Sequence, residues 1–202
     1  MTDNLIEKLT AMFIRFPGIG PRQARRFVYH LLRDNPENVR RLAETISQLR
    51  VHTGQCRQCY RYFTGNNQTI CNLCSDQSRD KHSLMIVEKD ADLETIRKTD
   101  VYAGLFFVLG GLIPVLEKKP GQRIRLTELK AGLKKLKPQE VIIALAVSDS
   151  GDATAEYLRS ELAELARDLN FKISLLGRGL STGTELEYSD YRTLDDALKN
   201  RH

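Results

Sequence analysis

The sequence lacks the segments that would direct a chain to a membrane or to the secretory pathway. No run of apolar residues is long enough to cross a bilayer, which excludes a helical membrane span. Residues 1–9 carry acidic as well as apolar side chains, unlike a secretory signal. Cysteine is absent outside positions 56–74, so the chain does not have the cysteine pattern of a secreted disulfide scaffold. We therefore expect a globular protein of the cytoplasm, with reduced thiols and no membrane partner.

Acidic residues are scarce in the first part of the chain. Residues 1–82 contain 13 Lys and Arg against 7 Asp and Glu, whereas residues 83–202 contain 18 against 19. A basic front on a near-neutral body favours a polyanionic partner, although a merely solvated basic surface is the alternative. We expect Arg57, Arg61 and Arg79 to extend this basic surface. A chain of 202 residues, 41% of them hydrophobic, can form one or two domains with a buried core.

A turn rich in glycine and proline, Phe16–Arg22, separates two amphipathic helical patterns. Gly18 and Gly20 permit positive φ and leave backbone N–H groups uncovered, and Pro21 suits the first position of a helix. Bare amides at a helix N-terminus can bind a phosphate. The turn is similar to the hairpin of a helix-hairpin-helix motif, a sequence-independent binder of the DNA backbone. An ordinary turn before a solvated basic helix is the alternative. The predicted DNA-binding residues are Gly18, Gly20, Arg22, Arg25 and Arg26.

Helical periodicity predicts three short helices in the first fifty residues, at about 4–15, 21–33 and 36–50. Each carries an apolar stripe on one face. The stripe of the third helix consists of Val39, Leu42, Ala43, Ile46 and Leu49. The simplest interpretation is that the three helices pack together and bury their stripes against one another.

The four cysteines have the spacing of a metal-binding module. Cys56 and Cys59 are separated by two residues, as are Cys71 and Cys74, with eleven residues between the pairs. Each pair can place two thiolates on one ion, and two pairs complete the tetrahedral site of a structural zinc. A thioredoxin-like redox pair would explain one CxxC but not two. We therefore predict one structural Zn²⁺, with residues 60–64 in a short β-hairpin.

From residue 83 onward, apolar strands alternate with amphipathic helices. Strands are predicted at 84–87, 105–109, 141–147 and 171–176, and helices at 92–98, 126–136 and 152–169. This alternation indicates a parallel sheet covered on both faces. Functional groups of such sheets lie beyond the carboxyl ends of the strands. We therefore expect Glu88, the Gly110-Gly111 turn and the Ser148–Asp152 loop to lie at one edge of the sheet.

The carboxyl-terminal segment is rich in glycine and then in acids over 177–188. A phosphate-binding loop is one interpretation, but the segment lacks the Gly-Lys-Ser/Thr ending of a P-loop. A short final helix is predicted at 193–200.

The order of these modules resembles the bacterial RecR family of recombination mediators over essentially the whole chain. The motifs that carry the resemblance are the Pro17–Pro21 turn, the four cysteines, Ile86-Val87-Glu88 with Asp92, Val108–Gly111, Gly151–Ala155 and Glu185–Tyr188. The resemblance implies an α+β multidomain protein. Its expected parts are a helix-hairpin-helix unit (1–53), a four-cysteine zinc finger (54–80), a parallel α/β Toprim domain (81–177), and a glycine- and acid-rich tail with a helix (178–202).

The resemblance also implies a function without catalysis. RecR-like proteins form rings, usually tetramers, that can encircle single-stranded, double-stranded or gapped DNA irrespective of sequence. They act with RecO, and in some settings RecF, to load the recombinase RecA at single-stranded gaps. Arg22 and Arg26 match basic residues that the family uses for DNA. Glu88 and Asp92 match the Toprim acids near which RecO docks.

The Toprim-like part lacks the acidic pair that catalytic Toprim domains use to hold Mg²⁺. Those positions fall on Ala146 and Ser148, neither of which is an anionic ligand, so we expect no catalytic residues. Ala146-Val147 also stands where Asn-Pro is usual, which marks a divergent member. A nuclease or primase-like phosphoryl transferase using Glu88, Asp149 and Asp152 is the alternative, and a zinc-braced adaptor that does not bind DNA is a third.

Overall fold

The computed structural model describes residues 4–65, 68–177 and 191. The chain divides into two compact units, the first ending at Thr53 and the second beginning at Gly54. Across the described ranges, no helix has both the length and the apolar character required to span a membrane. The final helix expected at 193–200, and the tail beyond Gly177 apart from Tyr191, lie outside the described residues.

The first unit contains three helices, as the periodicity predicts. They are α1 (Leu5–Ile14), α2 (Pro21–Arg33) and α3 (Pro36–His52). Ala24 and Val28 of α2 are buried, and the Phe13 ring of α1 meets the Phe27 ring edge-on at a centroid distance of 5.7 Å. Helices α1 and α2 therefore form a packed hairpin around the turn at residues 15–20.

Helix α3 does not bury its apolar stripe in the described structure, so the prediction that it packs with the other two is wrong. None of its residues is buried, and Ile46 and Leu49 are 62% and 60% exposed. The helix is instead supported locally. The Asn35 side chain accepts the Glu37 N–H at 2.9 Å, and Arg40 pairs with Glu37 at 2.6 Å. Periodicity predicts that a helix is amphipathic, but it does not predict which surface covers the apolar face.

The remaining elements surround one four-stranded sheet. Strands β1 (Thr53–Gln55) and β2 (Tyr62–Thr64) form a separate two-stranded ribbon. The large sheet is parallel, in the order β4-β3-β5-β6. In chain order, the elements after the ribbon are α4 (Asn72–Ser75), β3 (Asp80–Val87), α5 (Asp90–Thr99), β4 (Gly104–Val108), a 3₁₀ turn (Pro120–Gln122), α6 (Leu126–Leu136), β5 (Glu140–Ala144), α7 (Asp149–Leu169) and β6 (Lys172–Leu175).

Both faces of the sheet are covered, as the continuous apolar strands predict. Alternate residues of β3 enter two different cores: Ile86 packs with side chains of α6 and α7, while Met85 and Val87 pack with α5 and the cysteine module. The two cores hold the sheet between helices on one side and the cysteine module with α5 on the other.

Strand β5 ends at Ala144, three residues before the predicted end. A tight turn follows it, because a Cβ on Gly151 would lie only 1.9 Å from the Ala146 carbonyl oxygen. The Ser148 side chain then accepts the Gly151 N–H at 3.1 Å and caps α7. The apolar run over 141–147 therefore extends beyond both the strand and the buried chain, since Ala146 and Val147 are exposed.

Candidate nucleic-acid interface and metal centre

The turn between α1 and α2 has the backbone of an open hairpin. Gly18 has φ of +77°, which an L side chain rarely adopts, and the Ile19 N–H donates to the Phe16 carbonyl at 3.1 Å. Gly20 is the N-cap of α2, and its carbonyl accepts the Ala24 N–H at 2.9 Å. Pro21 occupies the first helical position, as predicted.

Gly20 differs from the prediction, because its φ of −84° is available to any residue. What its missing side chain provides is space. A Cβ on Gly18 or Gly20 would meet no atom within 4 Å, so the backbone at both positions faces open solvent. The hairpin therefore leaves room for a phosphate to approach the amides at the start of α2.

The three arginines in the first two turns of α2, Arg22, Arg25 and Arg26, are all exposed but differ in their partners. Arg25 pairs with Glu7 of α1, with 3.3 Å between Nη2 and Oε1. No carboxylate among the described residues lies within ion-pair distance of Arg22 or Arg26. Both sit in the first two turns of α2, at the end where the helix dipole is positive. The hairpin therefore presents two cations whose charge the described structure does not neutralise.

Two of the three arginines expected to extend this basic surface serve the fold of the second unit instead. Arg61 is 14% exposed and pairs with Glu94 at 2.8 Å. Arg79 donates to the Gly104 and Tyr102 carbonyls, and its guanidinium lies 5.6 Å from the centre of the Phe106 ring. Arginine is the residue suited to both contacts, since its planar group can bind oxygens and stack on rings at once.

The four cysteines converge on one point. Their sulfur atoms lie within 4.8 Å of one another, and Sγ of Cys59 and Sγ of Cys71 are 3.6 Å apart. Four thiolates bound to a tetrahedral ion at about 2.3 Å would lie roughly 3.8 Å apart, so the arrangement fits zinc coordination. Three of the four cysteines are buried. Four thiolates would fill all four coordination positions of a tetrahedral ion, so none is left for a substrate or a catalytic water. The site is closed, as structural metal sites are.

Hydrogen bonds favour a negative charge on the sulfur of Cys56. The backbone N–H groups of Gln58 and Cys71 each point at Sγ of Cys56, at 3.4 Å. A hydrogen bond from Cys59 lowers the pKa of Cys56 far below that of an ordinary thiol, whereas the hydrogen bond to Cys56 raises the pKa of Cys74. Four thiolates this close repel one another, and a divalent cation removes that conflict.

The cysteine module is bonded to the sheet by contacts that the sequence did not reveal. The Val108 N–H donates to the Cys59 carbonyl at 2.8 Å, and the Tyr62 N–H donates to Asp90 at 2.7 Å. The Tyr60 ring packs against Phe107 at 5.3 Å, with the Arg125 guanidinium 5.5 Å above it. An aromatic residue directly after a CxxC was the only local signal. These contacts join residues that are up to 65 positions apart.

The loops expected at the carboxyl ends of the strands follow three neighbouring strands, β4, β3 and β5. Glu88 is 20% exposed, and its carbonyl accepts the Gly110 N–H at 2.9 Å. Asp92 accepts the Lys89 N–H at 3.3 Å and so helps to start α5. Ser148 caps α7. Neither Ser148 nor Ala146 has a carboxylate to contribute to this edge.

Comparison with known proteins gives the family. A family model described as RecR, helix-hairpin-helix, matches residues 3–50, and a Toprim domain model matches residues 82–176. The recombination protein RecR of Amoebophilus asiaticus is 34% identical over 99% of this chain and 96% of its own length. The RecR proteins of Legionella pneumophila and Chloroflexus aurantiacus are 35% and 36% identical, with 98% and 97% of their lengths covered. The chain belongs to the RecR family. That membership confirms the α+β organisation and supports a role in recombinational DNA repair.

RecR relatives are named as recombination proteins rather than as enzymes. A Toprim domain by itself does not make a RecR protein an enzyme, because its chemistry depends on carboxylates that hold Mg²⁺. At the two positions of the acidic pair, this chain has Ala146 and Ser148. The names of the relatives therefore agree with the expectation of a recombination protein without catalysis.

Proposed function

We propose that this protein is a sequence-independent DNA clamp that helps RecO, and in some settings RecF, to load RecA at single-stranded gaps. The observation that carries the proposal is the open hairpin of the first unit. Uncovered backbone at Gly18 and Gly20 lies beside the first two turns of α2, where Arg22 and Arg26 are exposed. Amides at a helix N-terminus and exposed guanidinium groups beside them are suited to binding phosphates.

Arg22 and Arg26 are the principal phosphate ligands in this proposal. They lie four residues apart, so they project from one face of α2 and can contact phosphates of the same strand. Arg25 contributes less, because Glu7 already compensates part of its charge. Recognition of this kind does not read sequence, which suits a protein that acts wherever a gap occurs.

The metal in the cysteine site is one structural Zn²⁺. The sulfur spacing and the two N–H···S bonds support zinc, and the closed site supports a structural role. The Val108–Cys59 and Tyr62–Asp90 hydrogen bonds join the segment that carries the CxxC pairs to β4 and α5. The metal therefore stabilises these contacts by holding that segment in place. A compartment that keeps thiols reduced, such as the cytoplasm, suits this site.

We place the RecO contact at the sheet edge that carries Glu88 and Asp92. Glu88 is partly exposed there, and Lys89 lies 4.0 Å from its carboxylate. Asp92 accepts a hydrogen bond at the start of α5, so a basic partner at this edge would compete with one existing contact of each acid.

We further propose that the chain assembles into a ring, a homotetramer. The exposed stripe of α3, with Leu42, Ile46 and Leu49, supports a contact between copies. Apolar side chains grouped on one face of an otherwise polar helix are typical of an interface.

The proposal is tested by the double variant Arg22→Ala with Arg26→Ala. Binding to a gapped DNA is measured by fluorescence anisotropy over a range of salt concentrations. Loss of two phosphate contacts lowers the slope of log K against log salt by about 1.4–1.8. The matched control is Arg159→Ala with Arg167→Ala on α7, which removes the same charge from the second unit. If both double variants bind DNA alike, the hairpin is not the DNA site.

A further inference from the structure

A cavity of about 530 Å³ lies within the second unit, and neither Glu88 nor any of the four cysteines lines it. Its walls come from the cysteine module, the edge strand β4 and the last two turns of α6. Apolar side chains form most of the surface, among them Tyr60, Leu105, Phe106, Leu129 and Leu136. This volume is in the range of cavities that bind ligands, and it exceeds what one side chain would fill.

Strand β4 is an edge of the sheet, and the N–H and C=O of one residue that lines the cavity point away from β3 without a partner among the described residues. The groups that point away from β3 alternate along the strand. The Gly104 carbonyl accepts from Arg79, the Val108 N–H donates to Cys59, and the Val108 carbonyl accepts from Arg125. Between them, the outward N–H and C=O of Phe106 make no hydrogen bond with any residue that the structure describes. Unpaired N–H and C=O groups on an edge strand are a template for another strand.

Cations predominate at the rim. Arg57, Lys81 and Lys135 line the cavity together with one acid, Glu128. Within residues 4–65 and 68–177, no carboxylate forms an ion pair with any of the three cations, and the Lys81 ammonium donates to the uncharged Gln77 side chain at 2.7 Å. The rim therefore favours an anionic partner.

We propose that this cavity is a docking site for an extended segment of a partner protein that carries bulky apolar side chains beside carboxylates. The segment adds to the edge of β4 and pairs with the N–H and C=O of Phe106. Its apolar side chains enter the cavity between β4 and α6, and its carboxylates meet Arg57 and Lys135. Main-chain pairing supplies affinity in such strand addition, and the pockets for alternate side chains supply specificity. The site is independent of the hairpin, so it does not depend on the function proposed above.

Gly132 offers a way to obstruct part of the cavity without disturbing the fold. It lies on α6 and lines the cavity, and a Cβ at this position would meet no atom within 4 Å. Gly132→Leu therefore places a side chain in the cavity. Gly132→Ala is the matched control, because it makes a similar improvement in helix propensity but fills far less space.

The test selects binders from a displayed library of random linear peptides, using the full-length protein as bait. Binding of the selected peptides, made synthetically, is then measured by fluorescence anisotropy. We expect enrichment of peptides with Phe, Leu or Ile beside Asp or Glu. Gly132→Leu abolishes their binding, Gly132→Ala preserves it, and Arg57→Glu with Lys135→Glu weakens it by roughly fivefold or more. N-methylation of one central peptide bond also weakens it, because a strand contact is lost.

Three outcomes would overturn the proposal. The selected peptides could bind Gly132→Leu as well as the unmodified protein. They could lose binding in Arg22→Ala with Arg26→Ala, which would place acidic peptides on the DNA hairpin. Finally, Gly132→Leu could lower the solution mass measured by light scattering, which would make the cavity a contact between copies. Failure of DNA binding in the hairpin variant alone leaves the peptide result unaffected, so the two proposals are tested separately.

Discussion

At the scale of single residues, two helical glycines differ in whether their surroundings would admit a side chain. Gly151 lies in the first turn of α7, where a Cβ would come within 1.9 Å of the Ala146 carbonyl oxygen. Gly132 lies inside α6, where a Cβ would meet nothing within 4 Å. Both are helical glycines, but only the first is required by its surroundings.

We predict that Gly151→Ala lowers the free energy of unfolding by roughly 1–3 kcal/mol, because the Ala146 turn has to move to admit a methyl group. Gly132→Ala is the control and should raise the free energy of unfolding by up to about 1 kcal/mol through helix propensity. Urea unfolding followed by circular dichroism measures both. Equal effects of the two substitutions would contradict the close approach of Ala146 to α7.

A second prediction concerns the charge of the hairpin helix. Glu7 pairs with Arg25 from the neighbouring helix, so Glu7→Gln should release that arginine and strengthen DNA binding by about two- to fivefold at low salt. The gain should vanish in the double variant Glu7→Gln with Arg25→Ala. Glu37→Gln, which removes an acid from α3 instead, is the control. A gain that persists without Arg25 would show a general charge effect rather than a specific pair.

At the scale of elements, the cysteine module belongs to the core of the second unit. Cys56, Cys59 and Cys71 pack in the same buried cluster as Val87, Leu93 and Val108. Its backbone and ring contacts reach β4, α5 and Arg125. Loss of the metal is therefore expected to disturb the face of the sheet that the module covers, and not only the loop.

We predict one zinc per chain and a lower melting temperature after treatment with a strong chelator, because bound metal contributes folding free energy. Cys59→Ser should reduce metal content below one per chain and reproduce the lower melting temperature. Metal is measured by atomic emission and melting by calorimetry. Gln58→Ala, which alters the knuckle without removing a ligand, should keep its zinc. A melting temperature that is independent of metal would contradict the bracing role.

The cysteine module and the helices also show what the sequence can predict at this scale. Helices α2 and α6 have the predicted bounds, because apolar periodicity, Pro21 and the turn residues act within a few positions. Strand β2 was expected to pair with residues beside it, within 60–64. It pairs instead with β1, which precedes the first knuckle. Strand pairing depends on which strands meet in the fold, and a local sequence pattern does not predict that.

At the scale of the whole molecule, the exposed face of α3 bears on assembly. Helix α3 has no buried residue, so its apolar stripe is in contact with water, which is unfavourable. We therefore predict that Leu42→Glu with Ile46→Glu lowers the mass of the particle in solution, because charges cannot be buried in an apolar contact.

Light scattering at several protein concentrations measures that mass. The matched control is Ser47→Glu with Thr45→Glu, which adds the same charge to α3 outside its apolar stripe. Circular dichroism should show that both double variants keep their helices, since the substituted side chains are exposed. An unchanged mass in the Leu42 and Ile46 variant would exclude this stripe from the contact between copies.

Sequence alone determined the order of the modules, the four cysteines with the spacing of a metal site, the hairpin and the parallel sheet. Those features depend on spacing and periodicity over a few residues, where the covalent chain keeps side chains together. Tertiary structure decided which arginines remain available, since Arg25 meets Glu7 from 18 residues away and Arg61 meets Glu94 from 33. It also decided that Phe106 faces a cavity beside α6. Such contacts join residues that are distant along the chain, and only the folded backbone brings them within reach of one another.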